Sequence, residues 1–236
     1  MKKVYFVIVV FLMLGCSNDL SLSGTANCYI VSRSGAYLFQ TVKGNSLESV
    51  GDVASAEVLW ESVDGDAMTH RGDLIRRIRC SDGIIKFAVP YGFRAGNAVI
   101  AAKDKDDNIL WSWHIWLSGM PKEQVYDDCI IMDRNLGTVF TADGKVSSSG
   151  LLYQLGSKDP CVLDTKSPID STGWNTTGQT KSIYDPCPVG WRVPDSGAVT
   201  LSIEGSCNDS SNAGKLEIEN SCSVKGTTIR CIKESK

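Results

Sequence analysis

Residues 109–118 read Ile-Leu-Trp-Ser-Trp-His-Ile-Trp-Leu-Ser, and this stretch decides the fold. It holds Trp111, Trp113 and Trp116, half of the six tryptophans in the chain. On a period of two, Trp111, Trp113, Ile115 and Leu117 share one face, and Ser112, His114, Trp116 and Ser118 share the other. That alternation signals a β-strand rather than a helix. Each buried indole contributes on the order of 150–250 Å² to a core. Trp116 interrupts the polar face, so both faces of the strand are expected to be covered at its end. His114 reads as a partly buried strand residue.

Working outward, short β-like runs recur with turns between them. Cys28–Val31, Ala36–Val42, Ala56–Glu61, Leu74–Cys80, Ile84–Val89 and Gly96–Ala102 all read as strands. Ser81-Asp82-Gly83 separates two apolar runs and predicts a tight hairpin, because Asp-Gly accepts the positive φ angles such turns need. Strands at this spacing without helical periodicity predict an Ig-like β-sandwich over residues 26–118. Lys103–Asn108 (KDKDDN) places Asp104, Asp106 and Asn108 like the start of a calcium loop. Ile109 stands where such a loop needs glycine, and Ile115 where it needs glutamate, so the segment reads as a solvated hairpin turn. Arg71-Gly72-Asp73 matches an integrin-binding tripeptide by letters only.

The N-terminus carries an address. Lys2 and Lys3 precede an apolar run, Val4–Leu14, followed by Gly15-Cys16. As a helix the run rises only about 16 Å, against a hydrocarbon core of about 30 Å, so it reads as a secretory signal rather than a span. Gly15-Cys16 resembles the lipobox of bacterial lipoproteins. The resemblance implies removal of residues 1–15, acylation of Cys16, and a tether over residues 16–25. Several acyl chains on one residue anchor stably where one does not. The net charge is −3 and becomes more acidic once Lys2 and Lys3 are removed. A mildly acidic chain argues against a nucleic-acid partner.

Nine cysteines are present. With Cys16 set aside, Cys28, Cys80, Cys129, Cys161, Cys187, Cys207, Cys222 and Cys231 form an even set. In an exported protein this permits disulfides, although spacing does not choose the pairs. None stands as C-x-x-C, and two histidines, His70 and His114, build no zinc site without a cysteine cluster. No nucleophile elbow, Walker loop or dinucleotide fingerprint occurs. Neither Asp106-Asp107 nor Asp127-Asp128 is a ready-made catalytic pair, since strand neighbours point to opposite faces. The chain is therefore read as a non-enzyme with no metal and no cofactor.

Three segments in the first half, ANCYIVSRSGAYLFQTVKGNS (26–46), ASAEVLWES (54–62) and GNAVIAAKDKDDNILWSWHIWLS (96–118), resemble a module of Bacteroidales surface lipoproteins. Such modules often accompany fimbrillin-type adhesins and pilus-tip proteins. The resemblance implies a cell-surface β-sandwich without catalytic residues.

Residues 119–194 carry a second pattern. Asp133–Gly137 (DRNLG), Tyr153–Pro160 (YQLGSKDP) and Asp185–Pro194 (DPCPVGWRVP) occur in that order. They resemble the Fibrobacter succinogenes major paralogous domain, with Leu155 where that family commonly has tryptophan. The resemblance implies a loop-rich, C-type-lectin-like α+β fold with one or two helices. Arg134 and Arg192 lie inside its motifs and read as loop-pinning residues that bond carbonyls, which suits the fixed donor fork of a guanidinium. Asp170-Ser171-Thr172 resembles a short O-glycosylation motif. Residues 195–236 contain no Phe, Trp or Tyr. They read as a diverged tail with short β-like pieces, and the second domain as truncated or diverged.

The function expected from these readings is a lipid-anchored protein of the outer membrane, on the cell surface, with a structural or adhesive role. It would be an accessory or tip-like fimbrial component whose partners are the membrane, through Cys16, and other fimbrial subunits. The alternative is a glycan-capturing surface lipoprotein, with surface glycans as partners. That reading requires exposed stacking aromatics, for which Trp116, Trp174 and Trp191 are the candidates.

Overall fold

A computed structural model describes residues 17–63, 70–126, 129–140, 144, 146–148, 150–162, 174, 181–194 and 227–234. In chain order, the strands of the first half are β1 (Asn18–Asp19), β2 (Cys28–Val31), β3 (Gly35–Gln40), β4 (Ser55–Val63), β5 (Arg76–Ser81), β6 (Ile84–Val89), β7 (Gly96–Lys103) and β8 (Ile109–Leu117). Those of the second half are β9 (Glu123–Val125), β10 (Ile130–Met132), β11 (Val139–Phe140), β12 (Val146–Ser148), β13 (Leu152–Tyr153), β14 (Trp191–Arg192), β15 (Thr227–Thr228) and β16 (Ile232–Lys233). The protein is mainly β, and the one or two expected helices do not occur among the described residues.

Two four-stranded sheets, β1-β3-β6-β5 and β2-β8-β7-β4, face each other. Alternation decides which side chains lie between them. Tyr37 and Phe39 of β3, and Ile85, Phe87 and Val89 of β6, point inward from the first sheet. Trp111, Trp113, Ile115 and Leu117 of β8 meet them from the second, on the face the sequence assigns to them. Phe39 is the hub: its ring centroid lies 5.1 Å from Tyr29 and 5.1 Å from Trp113, with Phe87 at 6.3 Å. Burial of each such side chain contributes about 1.5–3 kcal/mol. The β5–β6 turn forms at Asp82-Gly83, whose φ angles of 53° and 71° are those expected of a two-residue hairpin loop.

β5 departs from the simple reading. Leu74 and Ile75 are both buried ahead of the strand, and the register slips between Arg76 and Arg79. Arg77 sits in that bulge at φ 55°. The extra residue reverses the alternation, so Ile78 and Cys80 pack against the core and Arg79 does not. A bulge thus interrupts the run Leu74–Cys80 that reads as a single strand in the sequence.

The sheet β2-β8-β7-β4 is covered on both faces, and every residue of β7 is buried. Its second face meets a separate core made of Cys28, Trp116, Met132, Leu136, Leu151, Tyr153, Trp174, Cys187, Trp191, Val193, Ile229 and Cys231. Residues of the second half therefore pack directly on β8, on the face opposite the first core. A third sheet, β14-β16-β10-β9, lies within this cover. Its strand β16 pairs with both β10 and β14, and β15 pairs with β13. The Cys187–Cys231 disulfide ties the same segment down. Residues 227–234 are thus part of the second core, to which they contribute Ile229 and Cys231.

Candidate functional site

The functional side chains singled out in the sequence converge on the outer face of β8. Ser112, His114 and Trp116 project there because their neighbours Trp111, Trp113, Ile115 and Leu117 occupy the other face. The segment Tyr153–Pro160 lies over them. The Ser112 hydroxyl reaches both Asp159 carboxylate oxygens at 2.7 Å. Lys158, 1% exposed, donates from Nζ to Asp159 at 2.8 Å and to the Ser112 carbonyl at 3.1 Å. The same ammonium stands 4.6 Å from the Trp111 ring centroid. Burial lowers the Lys158 pKa, and the Asp159 carboxylate opposes that shift. A buried cation of this kind persists only with such compensation.

His114 continues the seam. Its Nε2 is 2.9 Å from Asn97 Oδ1, while Asn97 Nδ2 donates to the Gly137 carbonyl at 3.0 Å. That arrangement assigns the proton to Nε2 and leaves Nδ1 to accept from the Tyr153 hydroxyl at 3.2 Å. Burial depresses the His114 pKa to about 3, so the ring is neutral at physiological pH. Beside it, Asn27 joins three segments. It donates from Nδ2 to the carbonyls of Ile183 at 2.7 Å and Asp185 at 2.9 Å, and accepts from Trp111 Nε1 at 3.0 Å. Gly44 has no room for a side chain there, since a Cβ would fall 2.2 Å from Asn27 Oδ1.

Trp116, Trp174 and Trp191 are all buried, which corrects the expectation of an exposed stacking platform. Trp116 Nε1 donates to the Thr138 carbonyl and Trp174 Nε1 to the Ser157 carbonyl, each at 2.9 Å. Trp191 is covered on one side by Lys233, whose Nζ is 4.9 Å from the ring centroid. Their faces are used inside the protein because the second half folds over β8. Leu155, by contrast, is exposed.

The three motif segments share this docking role. Asp185, fully buried, accepts from the backbone N–H groups of Cys187 and Val193, both at 2.8 Å, which closes its own loop. Arg134 holds Asp133 through two bonds of 2.8 Å, so its partner is a carboxylate rather than the expected carbonyl. Arg192 does bond a carbonyl, that of Val193, at 3.2 Å. Cys187 and Cys129 are disulfide-bonded, whereas Cys28 and Cys80 carry thiols. Burial pushes the Cys28 thiol far above its ordinary pKa, so it is unreactive in the fold. Cys16 and Asp170-Ser171-Thr172 lie outside the described residues.

The turn 104–108 is a hairpin connection. Asp104 Oδ1 accepts from the backbone N–H groups of Asp106 and Asn108 at 2.9 Å, leaving the loop self-bonded. No cluster of metal-ligating side chains occurs among the described residues. An open cleft of about 550 Å³ lies at the edge of the seam, between Thr25, Asn45, Lys181 and Glu234. Lys181 spans it, donating to the Cys187 and Pro188 carbonyls at 3.0 Å with Glu234 at 3.6 Å. These contacts leave its ammonium engaged by the protein itself.

Sequence reasoning did not single out Asn27, Asn97, Lys158 or Asp159. Their role depends on partners far away in the chain, and no local pattern marks it. No family model matches the chain, and neither does any curated protein or solved structure.

Proposed function

We propose that this protein is a lipid-anchored surface protein of the outer membrane with a structural or adhesive role, an accessory or tip-like component of a fimbria. The observation that supports this reading best is the seam on β8. It commits Ser112, His114, Lys158, Asp159 and Trp116 to internal bonds, and so joins two strand-rich halves into one unit. Such a unit suits a spacer or adhesive element displayed on a tether from Cys16. The strand order, β1-β3-β6-β5 against β2-β8-β7-β4 with β2 parallel to β8, suits an Ig-like sandwich. The cover is read as a diverged C-type-lectin-like module.

The test uses native cells. Filaments are sheared from the surface and analysed by mass spectrometry, alongside surface labelling of intact cells. The expected outcome is co-purification of the protein with filaments, and its loss to the medium in Cys16→Ser cells. Membrane retention of that variant would reject the anchor, and absence from filaments would reject the fimbrial role.

A further inference from the structure

The outer face of the sheet β1-β3-β6-β5 carries a row of cations, of which Arg76 also donates from Nε to the Gly72 carbonyl at 2.6 Å. β5 reads RRIRCS and is an edge strand. Ile85, Phe87 and Val89 of β6 enter the core, so Lys86 and Ala88 lie on the opposite face. The register sets Arg76 opposite Ala88 and Arg79 opposite Lys86, with Ala36 and Leu38 of β3 next in the same rows. Arg76, Arg77 and Arg79 are exposed, and Lys86, Ala36, Leu38 and Ala88 are half-buried. The face is therefore a shallow floor of small and apolar side chains with cations along one side. Among the described residues, none of these four cations takes part in an ion pair.

Two features here run against stability. Arg79 and Lys86 are like charges directly opposite on a ladder, where side chains stand only about 5 Å apart at their bases and repel. Arg77 holds a φ of 55°, which is uncommon for any residue but glycine. The bulge is what brings Arg79 to the same face as Arg76, because strict alternation would send it to the core. Bulges that re-aim side chains in this way recur at sheet edges and beside functional sites. Charged edge strands also discourage sheet-to-sheet aggregation, but that purpose is served by one charge and does not call for a repelling pair. Tyr91, fully exposed, stands in the turn that follows β6, at the Arg76 end of the face.

We propose that this face binds a linear acidic polysaccharide, with its carboxylate or sulfate groups held by Arg76, Arg77, Arg79 and Lys86 and a sugar ring stacked on Tyr91. The guanidinium fork matches carboxylate and sulfate oxygens in pairs. An extended strand presents its charges in a line, as an extended polyanion does. The net charge of −3 means that attraction belongs to this face and not to the chain as a whole. The floor holds no large projecting apolar side chain of the kind that inserts into a lipid surface. The proposal names a partner for the surface role above and rests on that reading.

The test uses the full chain bearing Cys16→Ser, with heparin and polygalacturonate as probes, dextran as the neutral polymer, and phosphatidylglycerol vesicles as the lipid alternative. Binding to at least one acidic polymer and not to dextran is expected. The triple variant Arg76→Gln/Arg79→Gln/Lys86→Gln should weaken it at least about tenfold and reduce the salt slope by about two to three. Lys43→Gln/Lys105→Gln/Lys122→Gln removes the same charge elsewhere and should leave binding unchanged, with melting temperatures confirming that both variants fold. Tyr91→Ala should weaken binding severalfold. Equal loss in the two triple variants, no binding to either acidic polymer, or preference for vesicles would overturn the proposal. Polymer binding by a protein that is not exposed on cells would instead reject the surface role, so the two failures are distinct.

Discussion

Trp111 and Trp113 differ by one hydrogen bond, and that difference is measurable. Both indoles are buried in the first core. Trp111 Nε1 donates to Asn27 at 3.0 Å, whereas Trp113 Nε1 has no partner among the described residues. An unmade buried bond costs about 1–3 kcal/mol. Trp113→Phe removes a donor that is already unsatisfied, so its net effect should stay within about 1 kcal/mol. Trp111→Phe strands the Asn27 oxygen and should cost about 2–3 kcal/mol. Equal shifts of the urea midpoint in the two variants would contradict this. His114 gives a pH prediction. Its folded pKa, about 3, lies below its ordinary 6.5, so the unfolded chain binds the proton first as pH falls. The stability contributed by neutral His114 is complete above pH 6.5 and is lost as pH drops towards 3, by at most about 1.4 kcal/mol per pH unit. Melting curves from pH 7 to pH 4 should show a shallower slope for His114→Gln than for the wild type. The alternation around residue 114 made only partial burial legible in the sequence, whereas the ring is fully buried. Its bonds to Asn97 and Tyr153 were not legible, because they join elements distant in the chain.

Among the elements, β8 and the β5–β6 hairpin follow directly from their residues, and the reason is locality. Period-two patterning and Asp-Gly act within a few positions. The segment before β5 is not legible in this way, because a distant carboxylate builds it. Glu61 of β4, 7% exposed, accepts from the backbone N–H groups of Gly72 at 2.9 Å, Asp73 at 3.1 Å and Ile75 at 2.8 Å. Arg71-Gly72-Asp73 is thus a turn whose backbone is spent on Glu61. Burial raises the Glu61 pKa while these donors pull it down. Glu61→Ala leaves several buried N–H groups unpaired and should cost about 2–4 kcal/mol. Hydrogen exchange should then accelerate selectively at residues 72–75. Uniform acceleration over β4 and β7 would place the loss elsewhere.

For the whole molecule, the mainly β class was legible, and the shared central sheet was only partly so. Trp116 on the polar face signalled a second cover, but nothing local announced that Met132, Leu136, Tyr153, Trp191 and Ile229 help supply it. The Cys187–Cys231 bond closes a loop with a sequence separation of 44. Chain-entropy reasoning puts its contribution at about 4 kcal/mol. Cys187→Ser should lower stability by that order and loosen the second core first, seen as early exchange at Trp191 and Ile232 while β7 stays protected. Loss of protection in both cores together would mean that they melt as one. The two-sided burial of β8 also sets an order of events for a chain synthesised N-terminus first. The sandwich strands emerge before the segments that cover them. During that interval Cys28 and Trp116 face the surroundings. The thiol that is inert in the finished protein is then open to any oxidant or stray cysteine. Closing the cover is therefore also what withdraws Cys28 from disulfide exchange, and a slow cover would reveal itself as mispaired Cys28 in protein refolded under oxidising conditions.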